Sequence, residues 1–578
     1  MRAAPNSTVM TALLLILTLV AVLAKQNRSD KPKQPPRLDE TIPFVSNLWQ
    51  FMTNKRLFIT RARAALEIHP VIRCRLGPLD LHLLRGGNGN NNNISNGSNN
   101  SNSNGSNHGP PLFRATCHSD PWTLRIMRSA GYTPRDLAKL ARDDSGAAAT
   151  PRPGVAGGAG GAGGPDRIWH ALHRLYDSAL ASARATDAFA DRFQAALHAE
   201  LVAPCPGPGP GHGGEAGEWT EGVRIFDTLK RTMTAAATHA ALGPLMAEVN
   251  PGFVDAFWAY ECHVEGLAFG LPDWLNREAV RARARFSDMC RRWYEVAEPR
   301  FEWDASGDGA EEWEPVFGSR LSSGLARWAR RFGFEADSMG PVFMLLHFGL
   351  HANTIPVCTW VVMELLKDPE LFQAVREEIS QAELVRDGPD ATFKGFDHRK
   401  LGSLPLLQSV YTEVLRLHVG VLITRTCTAP LTVGGYTLPK GSILQAPTEV
   451  GHLSEAVWST QEHPASEFWA HRHVKETETR DEMTGQVSKR LKFSLAGRSG
   501  SFFPFGGGTG MCPGRNFAKP EVLLAVAMIV SSFEVDDVTW LKPDGSLSDR
   551  AAQNDVNYAN SVAAAPDREM RVRWRRVR

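Results

Sequence analysis

The residues of this chain best placed to do chemistry lie in FFPFGGGTGMCPGRNF, Phe502 to Phe517. Cys512 stands there between a glycine-rich turn and an apolar run that begins near Ala518. A thiolate needs hydrogen-bond donors and positive potential to stay ionised. Inward-pointing backbone N–H groups followed by a helix N-terminus supply both. A lone cysteine in an apolar setting is more often a small buried hydrophobe, so its companions in the chain have to decide. The glycines do not form a nucleotide loop: read from Gly508, Pro513 replaces the last glycine of GxGxxG, and no Lys-Ser or Lys-Thr pair follows. They do not suit zinc either, since no second cysteine or histidine lies at ligand spacing nearby.

Phe505, Gly508, Cys512 and Gly514 stand in the spacing FxxGxxxCxG, which resembles the haem-binding loop of the cytochromes P450. The resemblance implies that Cys512 is the axial ligand of the iron in haem b, iron protoporphyrin IX, where a thiolate pushes electron density that favours O–O cleavage. Upstream, LPLLQSVYTEVLRLH, Leu404 to His418, has amphipathic helical spacing, with Glu413 and Arg416 three apart on one face. An exposed pair at that spacing is worth little. Here both flanks are apolar, and a further arginine follows at Arg472 in EFWAHRH. The arrangement resembles the family's glutamate–arginine–arginine network, which fastens the region beneath the haem loop. Breaking one partner of such a buried network costs about 3–5 kcal/mol, so loss of haem is the expected result of replacing Glu413 or Arg416.

Positioning the other face of the site falls to PVFMLLHFGLHANTIPVCTWVVMELL, Pro341 to Leu366, which is nearly all apolar and therefore reads as a helix buried on all sides. Pro356 removes one intrahelical hydrogen bond and clashes with the carbonyl of Ala352, so the helix is expected to kink beside Asn353 and Thr354. The segment resembles the family's long central helix, where an acid–alcohol pair helps to deliver protons to bound dioxygen. Asn353 takes the acid position and Thr354 the alcohol. Asparagine orients a water but carries no net proton as a carboxylate does. The string ANTIP resembles the branch holding sterol 7-alpha-hydroxylases, related to the prostacyclin synthases. His347 and His351 lack the HExxH pattern of a zinc helix; His351 is left as a candidate to face the pocket.

Around these lie the supporting elements. Ile68 to Leu83 supplies the first strands of a small sheet, Asp166 to Leu201 has helical spacing, and Ile225 to Arg300 reads as several helices broken near Pro251 and Pro272. Trp258, Tyr260, Phe269 and Trp274 either border a substrate cavity or belong to the core. Val421 to Pro447 reads as strands and hairpins, with Arg425 where the family commonly contacts a haem propionate. An early tryptophan–arginine pair of the family is replaced by Trp169 and His173, which leaves His173 as a surface or packing residue in preference to a propionate contact. An apolar helix, Asn516 to Phe533, follows Cys512 and contains Pro520. The basic end, MRVRWRRVR, alternates like an edge strand protected by charge.

The 64 basic and 62 acidic side chains nearly cancel, which removes any bulk argument for nucleic acid. Eight scattered cysteines without CxxC suit a reducing compartment better than a disulfide framework. Residues 9–24, VMTALLLILTLVAVLA, are apolar and close to the shortest length that spans a bilayer; a cleaved signal peptide is the competing reading. A basic, proline-containing linker follows at 25–37, and positive charge holds that flank in the cytosol. Inserts at 86–109, 154–164 and 204–217 are too polar or glycine-rich to bury surface and are expected to be disordered loops of one catalytic domain, 38–578, after an eight-residue tail.

The chain is thus expected to have a mainly helical P450 fold with a smaller β portion, behind one transmembrane helix in the endoplasmic reticulum. What the resemblance implies is a haem-thiolate monooxygenase that inserts one oxygen atom into an apolar small molecule. No flavin or nicotinamide motif is visible, so the electrons would come from a separate partner, NADPH–cytochrome P450 reductase. The inserts resemble those of filamentous fungi, whose members often tailor secondary metabolites. Competing readings are a haem isomerase or dehydratase that rearranges a peroxide without reductase, and a non-catalytic haem sensor.

Overall fold

A computed structural model describes residues 34–577, apart from 43–44, 77–78, 86–116, 153–166, 202–216, 271–272, 275, 304–310, 385–394, 481–486, 509–510 and 556–560. The expected anchor, most of the linker and the three inserts, Gly217 excepted, lie outside the described residues.

The long apolar segment forms the axis of the molecule as two consecutive helices, Ala336–His351 and Thr354–Lys367, separated at Ala352–Asn353. The break falls where Pro356 has no N–H to offer the Ala352 carbonyl. Around this axis pack helices Ile225–Leu242, Phe253–Glu261 and Arg277–Ala297 on one side, and Pro405–His418 and Arg515–Ser532 on the other. The helix 515–532 carries Pro520 within it, and every residue from Pro520 to Ser531 is buried. The stretch 225–300 does consist of several helices, as its prolines suggest.

The β portion is divided. A five-stranded sheet has the order Val71–Leu76, Leu79–Leu84, Ile443–Pro447, Leu422–Cys427, Cys117–His118. Its one parallel pairing, Ile443 opposite Leu81, joins a late strand to the first hairpin. Gly434 and Gly435, with φ of 55° and 80°, turn the hairpin between Leu431–Val433 and Tyr436–Leu438.

The basic terminus corrects one expectation. Strand Glu569–Arg576 is not an edge: it lies between Phe533–Leu541 and Trp219–Arg224. Its alternation buries Met570, Val572 and Trp574, and it sends Arg573 and Arg575 across to Asp536 and Glu534, at 2.7 and 2.6 Å. The arginines therefore secure a central pairing through cross-strand ion pairs.

Candidate active site

The break in the central helix and the cysteine loop line one cavity of about 450 Å³. The loop closes on itself: Cys512 N–H donates to the Phe505 carbonyl at 2.9 Å, and Met511 N–H to the Gly508 carbonyl at 3.1 Å. Gly506 and Gly508 have φ of 72° and 66°, a left-handed conformation that an L side chain adopts only with strain. Phe505, Cys512 and Gly514 reach the cavity wall, while Gly508 shapes the turn from outside it. Cys512 is exposed toward the cavity, and the protein packed around its sulfur still pushes the thiol up from its ordinary range. The Gly514 N–H, the Arg515 guanidinium and the Arg515 N–H oppose that shift.

Arg425 belongs to strand Leu422–Cys427 and also lines the cavity. It is buried, and it donates to the Gly507 carbonyl at 3.0 Å and to the Thr424 carbonyl at 2.8 Å, so it joins the sheet to the cysteine loop. His173 is elsewhere. It lies 2.9 Å from Asp177 one turn on, half-exposed, and is not among the cavity residues. Trp169 is buried, with its indole N–H on the Leu140 carbonyl at 3.0 Å.

Beneath the loop, the three expected residues of the lock meet. Arg416 grips Glu413 through two hydrogen bonds of 2.8 and 2.7 Å, and Arg472 Nε reaches the same carboxylate at 2.7 Å. All three side chains are fully buried. Sequence reasoning missed two further partners: His473 Nε2 at 3.1 Å and the Trp469 N–H at 3.3 Å. Burial alone would raise the Glu413 pKa. Hydrogen bonds from Arg416 and His473, with the charges of Arg416 and Arg472, bring it down to about 2. The arginines donate onward to the carbonyls of His452, Ala465, Trp458, Pro464 and Glu467, so a single carboxylate organises the whole 452–473 meander.

His452, also missed, transmits this order to the loop. Its Nδ1 lies 3.1 Å from the Val419 carbonyl and its Nε2 accepts from Phe503 N–H at 3.0 Å. Those partners require a proton on Nδ1 and none on Nε2, so the ring is neutral, and burial holds its pKa down at about 4. The neighbour of a histidine gave no periodic signal in sequence that could have revealed this.

On the opposite wall, the Thr354 hydroxyl lies 2.6 Å from the Leu350 carbonyl and 3.1 Å from Glu521 Oε1. Asn353 lines the cavity too, but its Oδ1 accepts the backbone N–H groups of Val562 and Ala563, both at 3.1 Å. Val562 is itself part of the wall. His351 does not face the cavity: it is buried with His347 3.3 Å away and Thr238 at 3.1 Å, packed against Phe257. Trp258 and Tyr260 pack in the core and Trp274 is exposed, so none of these borders the cavity. Phe269 lies outside the described side chains.

The donor set fits an iron porphyrin held by one axial sulfur. Among the described residues Cys512 is the only thiol on the cavity wall, and no group of three or more His, Cys, Asp or Glu could hold a bare metal ion. The remaining wall combines aliphatic side chains, among them Val357, Leu415, Val419, Leu422, Ile423 and Val522, with the aromatic Trp122 and Phe505 and the hydroxyls of Ser119, Thr123, Tyr411 and Thr424.

The sequence model described as Cytochrome P450 matches residues 335–547. The chain is 36% identical to the cytochrome P450 monooxygenase calL of Penicillium decumbens, over 99% of both chains. It is 28% identical to the cholesterol 7-alpha-monooxygenase of Cricetulus griseus, over 35% of this chain and 40% of that one. In structure it is similar to the retinoic acid bound cyanobacterial CYP120A1, with a TM-score of 0.59, covering 94% of this chain and 99% of that one at 16% identity. Agreement of the fold, and a full-length relative at this identity, place the chain in the cytochrome P450 family, as a monooxygenase.

Proposed function

We propose that this P450 oxygenates an apolar secondary metabolite in the cavity between Cys512 and Thr354, using electrons from a separate NADPH–cytochrome P450 reductase. The observation that carries the reading is the composition of that cavity: the Cys512 thiol on one wall, the Thr354 alcohol at the helix break on the other, and between them a lining in which apolar side chains outnumber polar ones such as Ser119, Thr123 and Thr424. The family and fold imply a haem, which when bound supplies activation of dioxygen. Cys512 would be its axial ligand. Arg425, already aimed at the loop, would meet a propionate.

The protein's own contribution is to hold and exclude. Aliphatic side chains from the helix 405–418, the strand 422–427 and the helix 515–532 exclude water and bind an apolar molecule by its area. Thr354 holds a hydroxyl proton at the cavity wall, and Asn353 fixes the segment carrying Val562 beside it. The apolar residues 9–24 tether the catalytic domain, 38–578, to the endoplasmic reticulum membrane with that domain in the cytosol. A sterol-like substrate is suggested only by analogy with the cholesterol 7-alpha-monooxygenase relative.

Reconstitution tests the reading. Purified protein with reductase, NADPH and dioxygen is expected to hydroxylate or epoxidise a member of an apolar metabolite library. Product formed from an organic hydroperoxide, and none with NADPH and dioxygen, would contradict it.

A further inference from the structure

The side that the central helix turns to the cavity carries Gly349, Asn353 and Val357, at the i, i+4 spacing that places residues on one face. Val357 presents an apolar side chain. Asn353 is drawn aside, its Oδ1 accepting the N–H groups of Val562 and Ala563. Gly349 presents none, and it is exposed where its neighbours Phe348 and Leu350 are half-buried and buried.

A glycine inside a helix needs a physical reason, because it weakens the helix relative to alanine by giving the unfolded chain more freedom to lose. Elsewhere in this fold the reason is plain. Gly252 and Gly270 adopt left-handed φ of 82° and 69°, and at Gly340 a Cβ would come within 2.5 Å of the Ser287 carbonyl oxygen. Neither reason holds at Gly349. It lies within the helix Ala336–His351 without a left-handed φ, and a Cβ there would meet nothing within 4 Å among the described residues. The open space beside it belongs to the cavity.

We propose that Gly349 is a specificity-determining residue: the recess it leaves admits a ring or a branched carbon of the substrate, held broadside against the central helix. A linear chain has no lateral bulk to fill such a recess, and space left unfilled forfeits dispersion contacts on that side. Trp122 lines the same cavity from the helix Asp120–Ala130, which packs against Ala336–His351, and its indole adds a flat face suited to a ring. The inference rests on the reading of an apolar substrate and deepens it, selecting rigid, ring-bearing molecules over straight-chain ones within that class.

Azoles that bind haem iron through nitrogen report the space above it without turnover. The haem-loaded protein and its Gly349→Ala and Gly349→Leu variants would be titrated with three of them: clotrimazole, with three aryl rings on one carbon; 1-dodecylimidazole, with a straight chain; and imidazole itself. Clotrimazole affinity should fall by about two- to fivefold in Gly349→Ala and about tenfold or more in Gly349→Leu, while the two slimmer azoles stay within about twofold of wild type, because overpacking penalises only the ligand that fills the recess. Gly349→Ala should melt about 1 °C higher than wild type, as the better helix former, and both variants should keep the carbon monoxide spectrum. Clotrimazole affinity that is equal in all three proteins overturns the proposal. So does equal weakening of all three azoles, or an alanine variant that melts lower than wild type, since a glycine required for packing would behave in that way. Wild type without the Soret band of thiolate-ligated haem would sink the monooxygenase reading and this proposal with it. With the band present, the azole titrations decide Gly349 alone.

Discussion

Glu413 and Glu521 are the same side chain under the same burial, and the protein drives their protonation in opposite directions. Around Glu413 stand two arginines, a histidine and a backbone N–H, and its pKa falls to about 2. Around Glu521 stand an alcohol, a phenol and a thiol, and its pKa rises to about 8. Burial raises both, so partners alone make the difference. The ion-paired carboxylate fixes structure, and the one without an ionic partner, bonded only to Thr354 among the described residues, is pushed toward its protonated form.

The contrast is broken most severely at the lock. Arg416→Ala leaves Glu413 charged and buried with three of its five hydrogen bonds, and should cost about 3–5 kcal/mol in denaturant unfolding, with protein purified largely free of haem. The pH dependence follows in sign. Glu413 has a folded pKa below its unfolded value, so its contribution is complete above about 4.5 and is lost as pH falls toward about 2. Acid unfolding of wild type should therefore steepen over that window.

Glu521 should behave in reverse. Its folded pKa lies above the unfolded one, so the folded state binds the extra proton and stability falls as pH rises from about 4.5 to about 8. Glu521→Gln removes that penalty, and thermal melts should show it more stable than wild type by roughly 2 kcal/mol more at about pH 8 than at about pH 6. A variant stabilised equally at both values would remove the contrast between the two glutamates.

Smaller effects sharpen it. Asn353→Ala frees two backbone N–H groups at a partly solvated segment, so a loss of only about 1 kcal/mol is expected. Because Val562 lines the cavity, the ratio of oxygenated products should change more than their total, as read by chromatography. His173→Ala breaks a half-exposed contact with Asp177. It should shift unfolding by less than about 1 kcal/mol and leave the haem spectrum as it was.

Much of this was legible in the chain. FxxGxxxCxG, the Glu413–Arg416 spacing and the proline of ANTIP each state a local constraint, and the structure puts the loop, the lock and the helix break where those constraints imply. What stayed hidden depends on contacts between distant segments. Glu521 is a single acid in the apolar run KPEVLLAVAMIV, a visible anomaly, but its partner lies 167 residues away. Asn353 meets Val562 and Ala563 across 209 and 210 residues. The terminal strand reads as an edge because alternation reports one buried face and says nothing of how many neighbours the strand has.

The central claim is that Cys512 holds haem iron through sulfur in the cavity below the helix break. Carbon monoxide added to the reduced protein tests it most directly. Wild type should give the red-shifted Soret band of thiolate-ligated haem, and Cys512→Ser should lose it. A wild-type spectrum without that band, or a serine variant that keeps it, would contradict the account.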